Sequence, residues 1–295
     1  MPQIPFTLYS GAGNEFVIID AFNNPTVFGK VKLKALAQTV SNRKGPIGSD
    51  GMIVLGRSGK APFMMNFYNP DGSFGALCGN GARCAVQAAM DFGVIESPNT
   101  NFEVLGELVR AESVAAIGRS SLRVYYNDPK KIKLKFKLSI GGDFASCSCV
   151  DLGSQHGVIF LDNSGTTSPL ESADIEDLDI NKYGPLVRNH KDFEPLGVNA
   201  NFAQIMSDEN AEYIRIRTFE RGVEGETLAC GTGCMATAIA AYGLKKIKNL
   251  PIRLKTQSGE FVKVNFTADE TGHVHTLSLE GSAVRGKSGI ITIDA

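Results

Sequence analysis

The sequence predicts an α/β fold, in the broad sense that includes α+β, built from two pseudo-symmetric domains, because one pattern occurs twice in 295 residues. The first copy reads CGNGARCAVQAAMDFG over residues 78–93, and the second reads CGTGCMATAIAAYG over residues 230–243. Each copy begins Cys-Gly-polar-Gly, continues as an alanine-rich stretch typical of a buried helix, and stops at a glycine. Strand-like stretches flank both copies. The two copies start more than 100 residues apart, and a repeat unit of that length is too long for a solenoid and favours two similar domains.

In the first half, a predicted strand precedes the helix and predicted strands follow it. Met64–Tyr68 is the strand before the helix, and Phe102–Val114 and Leu122–Tyr126 form the hairpin-like strands after it. The turn cluster Asn127-Asp128-Pro129 then interrupts the pattern. We therefore expect a first domain over residues 1–129.

The second half repeats this order of elements. Tyr213–Phe219 alternates isoleucine with arginine before the helix, and Ile252–Thr256 and Phe261–Phe266 follow it around a Gln-Ser-Gly-Glu turn. We expect a second domain over residues 130–282. The tail, residues 283–295, contains the strand-like sequence Gly-Ile-Ile-Thr-Ile, and we expect it to return to the first domain.

The composition predicts a soluble globular protein without a nucleic-acid or membrane partner. Hydrophobic residues make up 43% of the chain, and 30 basic residues nearly cancel 31 acidic ones. The lysines between Lys130 and Lys137 alternate with apolar residues, which is typical of the solvated face of a strand. No run of 18 apolar residues occurs, and residues 1–16 lack the features of a signal peptide. With six cysteines and no export signal, we expect reduced thiols and a cytoplasmic location.

Cys78 and Cys230 are the candidate reactive groups. Each stands at the predicted start of a helix, where unpaired backbone N–H groups and the helix dipole favour a thiolate. The following glycines let a carboxylate approach the same N–H groups. A thiolate that removes a proton and an opposed thiol that delivers one are what inversion of an amino-acid α-carbon requires. For the other cysteines we favour structural roles: they are Cys84, Cys147, Cys149 and Cys234.

Other chemistries find little support in the sequence. No Cys-x-x-Cys pair is present, and the four histidines are scattered without helical metal-ligand spacing, so we expect no metal site. The glycines of Gly11-Ala12-Gly13 lack the third glycine of a dinucleotide-binding loop, and no Gly-Lys-Ser/Thr follows a glycine-rich loop.

Two motifs resemble the active-site signatures of the diaminopimelate epimerase family. Residues 69–73 (NPDGS), followed by residues 78–84 (CGNGARC), are similar to the first signature. Residues 220–227 (ERGVEGET), running into residues 229–233 (ACGTG), are similar to the second. Weaker matches cover the rest of the chain in order, at residues 11–16, 47–51, 153–156 and 197–202.

The resemblance implies two similar domains, each a β-sheet wrapped around a central helix, with the active site in the cleft between them. It implies no metal and no pyridoxal phosphate, and it suggests a homodimer acting on LL-diaminopimelate to give the meso form, in lysine and peptidoglycan precursor synthesis. By resemblance, Cys78 and Cys230 are the acid/base pair, and His156 and Glu220 adjust the thiols. The implied substrate-binding residues, which contribute side chains or backbone groups, are Asn14, Asn69, Gly79, Asn80, Asn199, Glu220, Arg221, Gly231 and Thr232.

Asparagine supplies a donor and acceptors without a charge that would disturb a thiol, and Arg221 suits bidentate binding of the distal carboxylate. The chain departs from the family pattern at two places. Ser154-Gln155 stand where Asn-Pro often precedes the motif histidine, and Ser10 and Glu15 stand where His and Asp are usual.

Three other functions remain open from the residues. A proline racemase or hydroxyproline epimerase would share the cysteine pair, but Arg221 and the asparagines favour a longer substrate with a second amino-acid end. The two thiols could instead form a redox couple that senses oxidation. A non-catalytic amino-acid-binding protein would bind its ligand even without either thiol.

Overall fold

The structure is a computed structural model, and it describes residues 3–25, 32–75, 77–114, 121–162, 168–209 and 211–292. The chain divides into two compact units: Met1–Tyr125 with Glu280–Ala295, and Tyr126–Leu279. The halves expected from the sequence, residues 1–129 and 130–282, stay a prediction. Over the described ranges, no helix is long and apolar enough to cross a membrane.

The first unit is a mixed sheet around one buried helix. Its strands, numbered in chain order, are β1 (Gln3–Gly11), β2 (Asn14–Asp20), β3 (Gly51–Gly56), β4 (Met64–Tyr68), β5 (Thr100–Val104), β6 (Glu107–Val114), β7 (Ser121–Tyr125) and β17 (Val284–Thr292). Its helices are α1 (Leu33–Ser41) and α2 (Gly79–Asp91). Strand β17 pairs antiparallel with β1, from Gln3 opposite Thr292 to Ser10 opposite Val284. Residues 293–295 of the expected tail lie outside the described residues.

Strand pairing in the first unit follows a defined order of directions. Along β17–β1–β2 the pairs are antiparallel, β2–β3 is parallel, β3–β4 is antiparallel and β4–β5 is parallel. The pairs β5–β6 and β6–β7 are antiparallel. Helix α2 contacts β1, β2, β3, β4, β7 and β17. The small residues after Cys78 allow this, because alanine and glycine let strands approach the helix axis closely.

The second unit consists of another set of strands around another buried helix. Its strands are β8 (Lys131–Ile140), β9 (Asp143–Asp151), β10 (Gln155–Phe160), β11 (Asn199–Ser207), β12 (Glu212–Glu220), β13 (Gly225–Thr227), β14 (Ile252–Lys255), β15 (Phe261–Ala268) and β16 (Val274–Gly281), whose last two residues belong to the first unit. Its helices are α3 (Ile180–Arg188) and α4 (Gly231–Gly243), with a short 3-10 turn at Lys191–Phe193.

The second unit repeats the order of strand directions found in the first. The pairs β8–β9 and β9–β10 are antiparallel, β10–β11 is parallel, β11–β12 is antiparallel, β12–β14 is parallel and β14–β15 is antiparallel. Helix α4 contacts β9, β10, β11, β12, β14 and β15. The repeat that the sequence shows around its two cysteine motifs is therefore also a repeat of strand topology, because both units have the same order of strand directions.

Most predicted elements occur, and the differences have local causes. The single strand expected over Phe102–Val114 is two strands, because Leu105 and Gly106 form a turn with φ of 53° and 85°. Both positive φ values match the tight hairpin turn that suits twisted strands. Helices α1 and α3 were not predicted. The lysines of β8 are exposed, as expected of a solvated strand face.

The glycines at the ends of the two motifs have different roles. Gly93, two residues after α2, has φ of 68°, and the N–H of Val94 bonds the carbonyl of Ala89 at 2.8 Å. In the second unit the same capping geometry places Lys245, with φ of 58°, in the left-handed position. The second helix also ends at a glycine, as expected, because Gly243 is the last residue of α4.

Candidate active-site residues

Five of the predicted site residues lie in the first unit: Asn14, Asn69, Cys78, Gly79 and Asn80. We call them the first half-site. Cys78 is the N-cap residue of α2, with extended backbone angles of −88° and 117°, and it is half-buried. The N–H groups of the first helical turn have no intrahelical acceptor, so the residues after Cys78 present donors to an anion.

A line of side chains connects this helix start to β2. The amide nitrogen of Asn80 donates to Asn14 Oδ1 at 2.7 Å, and Asn14 Nδ2 lies 3.4 Å from Asp50 Oδ2. Behind Asn80, the guanidinium of Arg83 donates to Asn80 Oδ1 at 2.9 Å. Asn80 is 2% exposed and Arg83 is fully buried. Asn14 is half-buried at the end of this line.

Asn69 lies in the turn that follows β4. Its backbone N–H bonds the carbonyl of Ser73 at 2.9 Å, and its amide nitrogen donates to Ser73 Oγ at the same distance. Asp71 accepts from the hydroxyl and the backbone N–H of Ser73, and these bonds lower the pKa of the Asp71 carboxyl. The side chain of Asn69 is thus held by a closed turn and is half-buried.

The remaining predicted site residues lie in the second unit and form the second half-site: His156, Asn199, Glu220, Arg221, Cys230, Gly231 and Thr232. Cys230 is the N-cap residue of α4, and its sulfur accepts from the N–H of Gly233 at 3.4 Å. Thr232 Oγ1 lies 3.5 Å from the same sulfur. Both contacts lower the pKa of the thiol, as expected for a sulfur at a helix start.

Burial outweighs these contacts at Cys230. The pKa of its thiol is raised well above the ordinary value, first by burial and next by the carboxyl group of Glu220. The helix start favours the thiolate of Cys230, as expected, but burial has the larger effect on the pKa of this thiol. Burial also raises the pKa of Glu220, which stands at the end of β12 and accepts from Thr227 Oγ1 at 2.9 Å.

His156 is fully buried on β10 and is neutral. Burial, and then the charge of Arg221, lower its pKa to about 3. Its Nε2 lies 3.1 Å from Ser154 Oγ and its Nδ1 lies 3.3 Å from Asn201 Nδ2. Ser154, one of the two departures from the family pattern, therefore contacts the histidine directly. A neutral imidazole in this position can orient neighbours and does not act as a cation.

A hydrogen bond joins the side chain of Asn199 to the backbone of Arg221. Asn199 Oδ1 accepts from the N–H of Arg221 at 2.9 Å, which fixes the start of the β12–β13 turn. Arg221 is half-buried, and the neighbouring Glu224 pairs with Arg188 at 3.0 Å. Arg221 is thus left with a charge that acts on His156 and Glu224 without a direct ion pair to that carboxylate.

Sequence reasoning missed several residues that contact the predicted site. Arg83 and Asp50 flank the asparagines of the first half-site, and Asn201 joins His156 to Thr218, whose hydroxyl donates to Asn201 Oδ1 at 3.0 Å. A Cβ at Gly233 would come 2.4 Å from Asn201 Oδ1, so the glycine allows this close approach. Arg83 was visible in the motif, but the motif does not reveal its burial.

The other cysteines lie in the core or, in the case of Cys149, pack against it. Burial raises the pKa of Cys84 and of Cys147 to about 12, and it also raises the pKa of Cys149. Cys234 is 1% exposed inside α4. Within the described part of the chain, no group of three or more His, Cys, Asp or Glu side chains is placed to hold a metal ion.

Comparison with known proteins identifies the family. The family model described as diaminopimelate epimerase matches residues 6–131 and 148–284. The chain belongs to the diaminopimelate epimerase family. A diaminopimelate epimerase of Chlorobaculum tepidum is 35% identical over 285 residues, which cover 96% of this chain and 100% of the relative. One of Aquifex aeolicus is 34% identical over 271 residues, which cover 90% of each chain.

Solved structures confirm the predicted fold class of this diaminopimelate epimerase family member. A phenazine biosynthesis protein of the PhzF family from Bacillus anthracis matches with a TM-score of 0.74 at 17% identity, covering 99% of this chain and 100% of that one. A hydroxyproline epimerase from Agrobacterium vitis matches with a TM-score of 0.69 at 14% identity, covering 100% of this chain and 94% of that one. At these identities the likeness concerns the fold alone.

Proposed function

We propose that this protein converts LL-2,6-diaminopimelate to meso-diaminopimelate without a metal or pyridoxal phosphate, with Cys78 and Cys230 as the acid/base pair. The observation that carries the proposal is the duplicated helix start. Each cysteine is the N-cap of the buried central helix of its unit, and the two units share one order of strand pairing. The chain thus contains two copies of a thiol beside the backbone N–H groups of a first helical turn.

The reaction requires one thiolate and one thiol on opposite faces of the same carbon. The α-proton passes to the thiolate, the electron pair remains on the α-carbon, where the carboxylate can share it, and the other thiol then donates its proton. Backbone N–H groups after each cysteine would hold the reacting carboxylate and its growing charge. We assign this role to Gly79, Asn80, Gly231 and Thr232.

The surroundings of Cys230 favour its thiol as the proton donor in the resting enzyme. Burial and Glu220 raise the pKa of its thiol, so it is protonated at neutral pH. Cys78 is then the base in the direction that starts from this state, and the roles exchange in the reverse direction. His156, with a pKa lowered to about 3, would orient the second half-site as a neutral group.

Polar side chains would hold the rest of the substrate. Arg221 offers two parallel N–H donors to the distal carboxylate. Asn14, Asn69 and Asn199 offer uncharged donors and acceptors to the two amino-acid ends. Hydrogen bonds within the protein already hold these three side chains, and this supports the role because an amide held in place loses little rotamer freedom when a ligand binds.

The charge of Glu220 predicts a pH effect. Glu220→Gln keeps an acceptor for Thr227 but removes the negative charge that raises the pKa of Cys230. In the direction in which Cys230 donates the proton, kcat/KM falls as pH rises through the pKa of its thiol. A lower pKa therefore moves this basic limb to lower pH, by about one unit. The pH profiles of the variant and of wild type measure the shift.

Glu226→Gln is the matched control, since Glu226 pairs with Arg217 on the neighbouring strand. We expect its profile to coincide with that of wild type. If the basic limb of kcat/KM lay at the same pH in Glu220→Gln as in wild type, the role assigned to Glu220 would be contradicted.

The proposed function is tested by the stereochemistry of the product. Purified protein, freed of pyridoxal phosphate and treated with a chelator, is incubated with LL-diaminopimelate, and the isomers are separated by chiral chromatography. We expect the meso isomer to accumulate. Inactive protein that is folded and fully reduced would overturn the proposal, and inversion of proline or hydroxyproline instead would assign the chain to the alternative substrate class.

Three further parts of the proposal rest on membership of the family. We place the reaction in the synthesis of lysine and peptidoglycan precursors, the enzyme in the cytoplasm, and two chains in a homodimer. Light scattering on the purified protein tests the last of these.

A further inference from the structure

Arg83 is a buried cation whose contacts differ from those of an ordinary structural arginine. It is the largest side chain with no exposure in the described structure, and a guanidinium is charged at any pH a protein meets. Among the described residues it donates to three neutral oxygens: Asn80 Oδ1 at 2.9 Å, and the carbonyls of Gly79 and Ser282, each at 3.3 Å. Burial of a charge is costly, and neutral acceptors offset that cost less than a carboxylate would, so a purely structural role has little to favour it.

The internal repeat supplies a comparison for the same helix position. Counted from the N-cap cysteine of each helix, Arg83 corresponds to Met235, which is also fully buried. An apolar side chain therefore fills this position in the second unit, where the helix is equally enclosed. Packing of the central helix does not require an arginine, and the charge at residue 83 needs another explanation.

Arg83 determines how the first half-site presents its amides. A guanidinium only donates, so the oxygen of the Asn80 side chain must face Arg83 and its NH₂ group must face away. That NH₂ group donates to Asn14 Oδ1, which turns the NH₂ group of Asn14 towards Asp50. One buried cation thus fixes two amides in sequence.

The same charge lies within electrostatic range of the cysteines of α2. The guanidinium bonds the carbonyl of Gly79, the residue next to Cys78. Arg83 lowers the pKa of Cys84 while Cys78 raises it, although burial dominates at that thiol. A fixed positive charge near a helix start favours an anion there, whether a thiolate or a carboxylate.

We propose that Arg83 is a positioning residue of the first half-site, where its buried guanidinium fixes the amides of Asn80 and Asn14 and favours an anion at Cys78. The proposal deepens the proposed function and rests on it for the identity of the substrate. The charged groups described beside the two thiols then differ in sign. A buried cation lies near the first thiol, and the carboxyl of Glu220 lies near the second.

The first test needs no substrate. Wild type, Arg83→Gln, Arg83→Lys and the control Met235→Leu are alkylated with iodoacetamide over a range of pH, and modification of Cys78 is followed by mass spectrometry. We expect the midpoint to rise by about one pH unit in Arg83→Gln and to stay near wild type in Arg83→Lys and Met235→Leu. An unchanged midpoint in folded Arg83→Gln would overturn the electrostatic part of the proposal.

The second test separates charge from amide orientation. In Arg83→Gln we expect kcat/KM for diaminopimelate to fall about 10²-fold, with its acid limb moved to higher pH. Arg83→Lys keeps the charge but loses the planar guanidinium that donates several hydrogen bonds in a fixed geometry. Its acid limb should therefore stay in place while kcat falls about 10-fold. Wild-type kcat/KM in either folded variant would overturn the positioning role.

Circular dichroism shows whether each variant folds, and Arg83→Lys decides the matter if Arg83→Gln does not. Failure of the proposed function is recognised separately. Wild type inactive on diaminopimelate would refute that function, while the alkylation midpoints would still decide whether Arg83 acts on Cys78.

Discussion

Replacing either Cys78 or Cys230 with alanine is expected to lower kcat for epimerisation of diaminopimelate by about 10³-fold or more. Each thiol is proposed to carry the α-proton on one face of the carbon, and a general acid or base contributes about 10²–10⁴-fold. Alanine has no group that could replace the thiol, and Cys230 is only 7% exposed. Initial rates in both reaction directions measure the loss, and both directions should be affected.

Cys84→Ala and Cys234→Ala are the matched controls, because each removes a buried thiol from the same central helix. Their loss of packing should lower stability without a large change in kcat. A Cys230→Ala variant that retains a tenth of wild-type kcat would contradict the two-thiol mechanism, as would equal losses in the control variants.

Arg221→Met should give the second largest effect, a loss of about 10²–10³-fold in kcat/KM for diaminopimelate, chiefly through KM. Arg221 is half-buried, and a bound substrate would bury the pair further; removing one partner of a buried charged pair costs about 2–5 kcal/mol. Arg221 is suited to this pairing because Glu224, the neighbouring carboxylate, is already paired with Arg188. Lysine provides the decisive comparison, since it is diaminopimelate without the distal carboxylate.

We expect wild type to discriminate strongly between the two substrates and Arg221→Met to discriminate weakly. Arg253→Met, which breaks the ion pair with Asp208 elsewhere in the second unit, is the control and should keep the wild-type ratio. If Arg221→Met lowered the rates for both substrates equally, Arg221 would not bind the distal carboxylate.

The sequence predicted the fold where one pattern dominated. The two cysteine-headed helices and most flanking strands follow from alternation and from the repeat. The helices α1 and α3 could not be recognised because their signals are weak. The first has no side-chain cap at Lys32, and the second contains Pro185 in its interior. The turn at Leu105 was hidden because leucine is not a residue that favours positive φ.

The sequence motifs predict a candidate site as a set of residues but not as an electrostatic environment. The motifs identified the cysteines, the asparagines and Arg221. They could not show that burial raises the pKa of Cys230 by more than its helix start lowers it, because burial arises from strands distant in the sequence. Nor could they show that Arg83 is enclosed and, among the described residues, donates to neutral oxygens. Charge, burial and amide orientation are properties of the folded unit.

The most direct test of the central claim is deuterium incorporation during the first few per cent of the reaction. LL-diaminopimelate is incubated with the protein in heavy water, and product and remaining substrate are separated and analysed by NMR. Two thiols of separate roles predict deuterium at the inverted α-carbon of the meso product, while recovered substrate keeps its proton. Product that retains the original proton, or product and substrate that are labelled equally from the start, would contradict the two-thiol account.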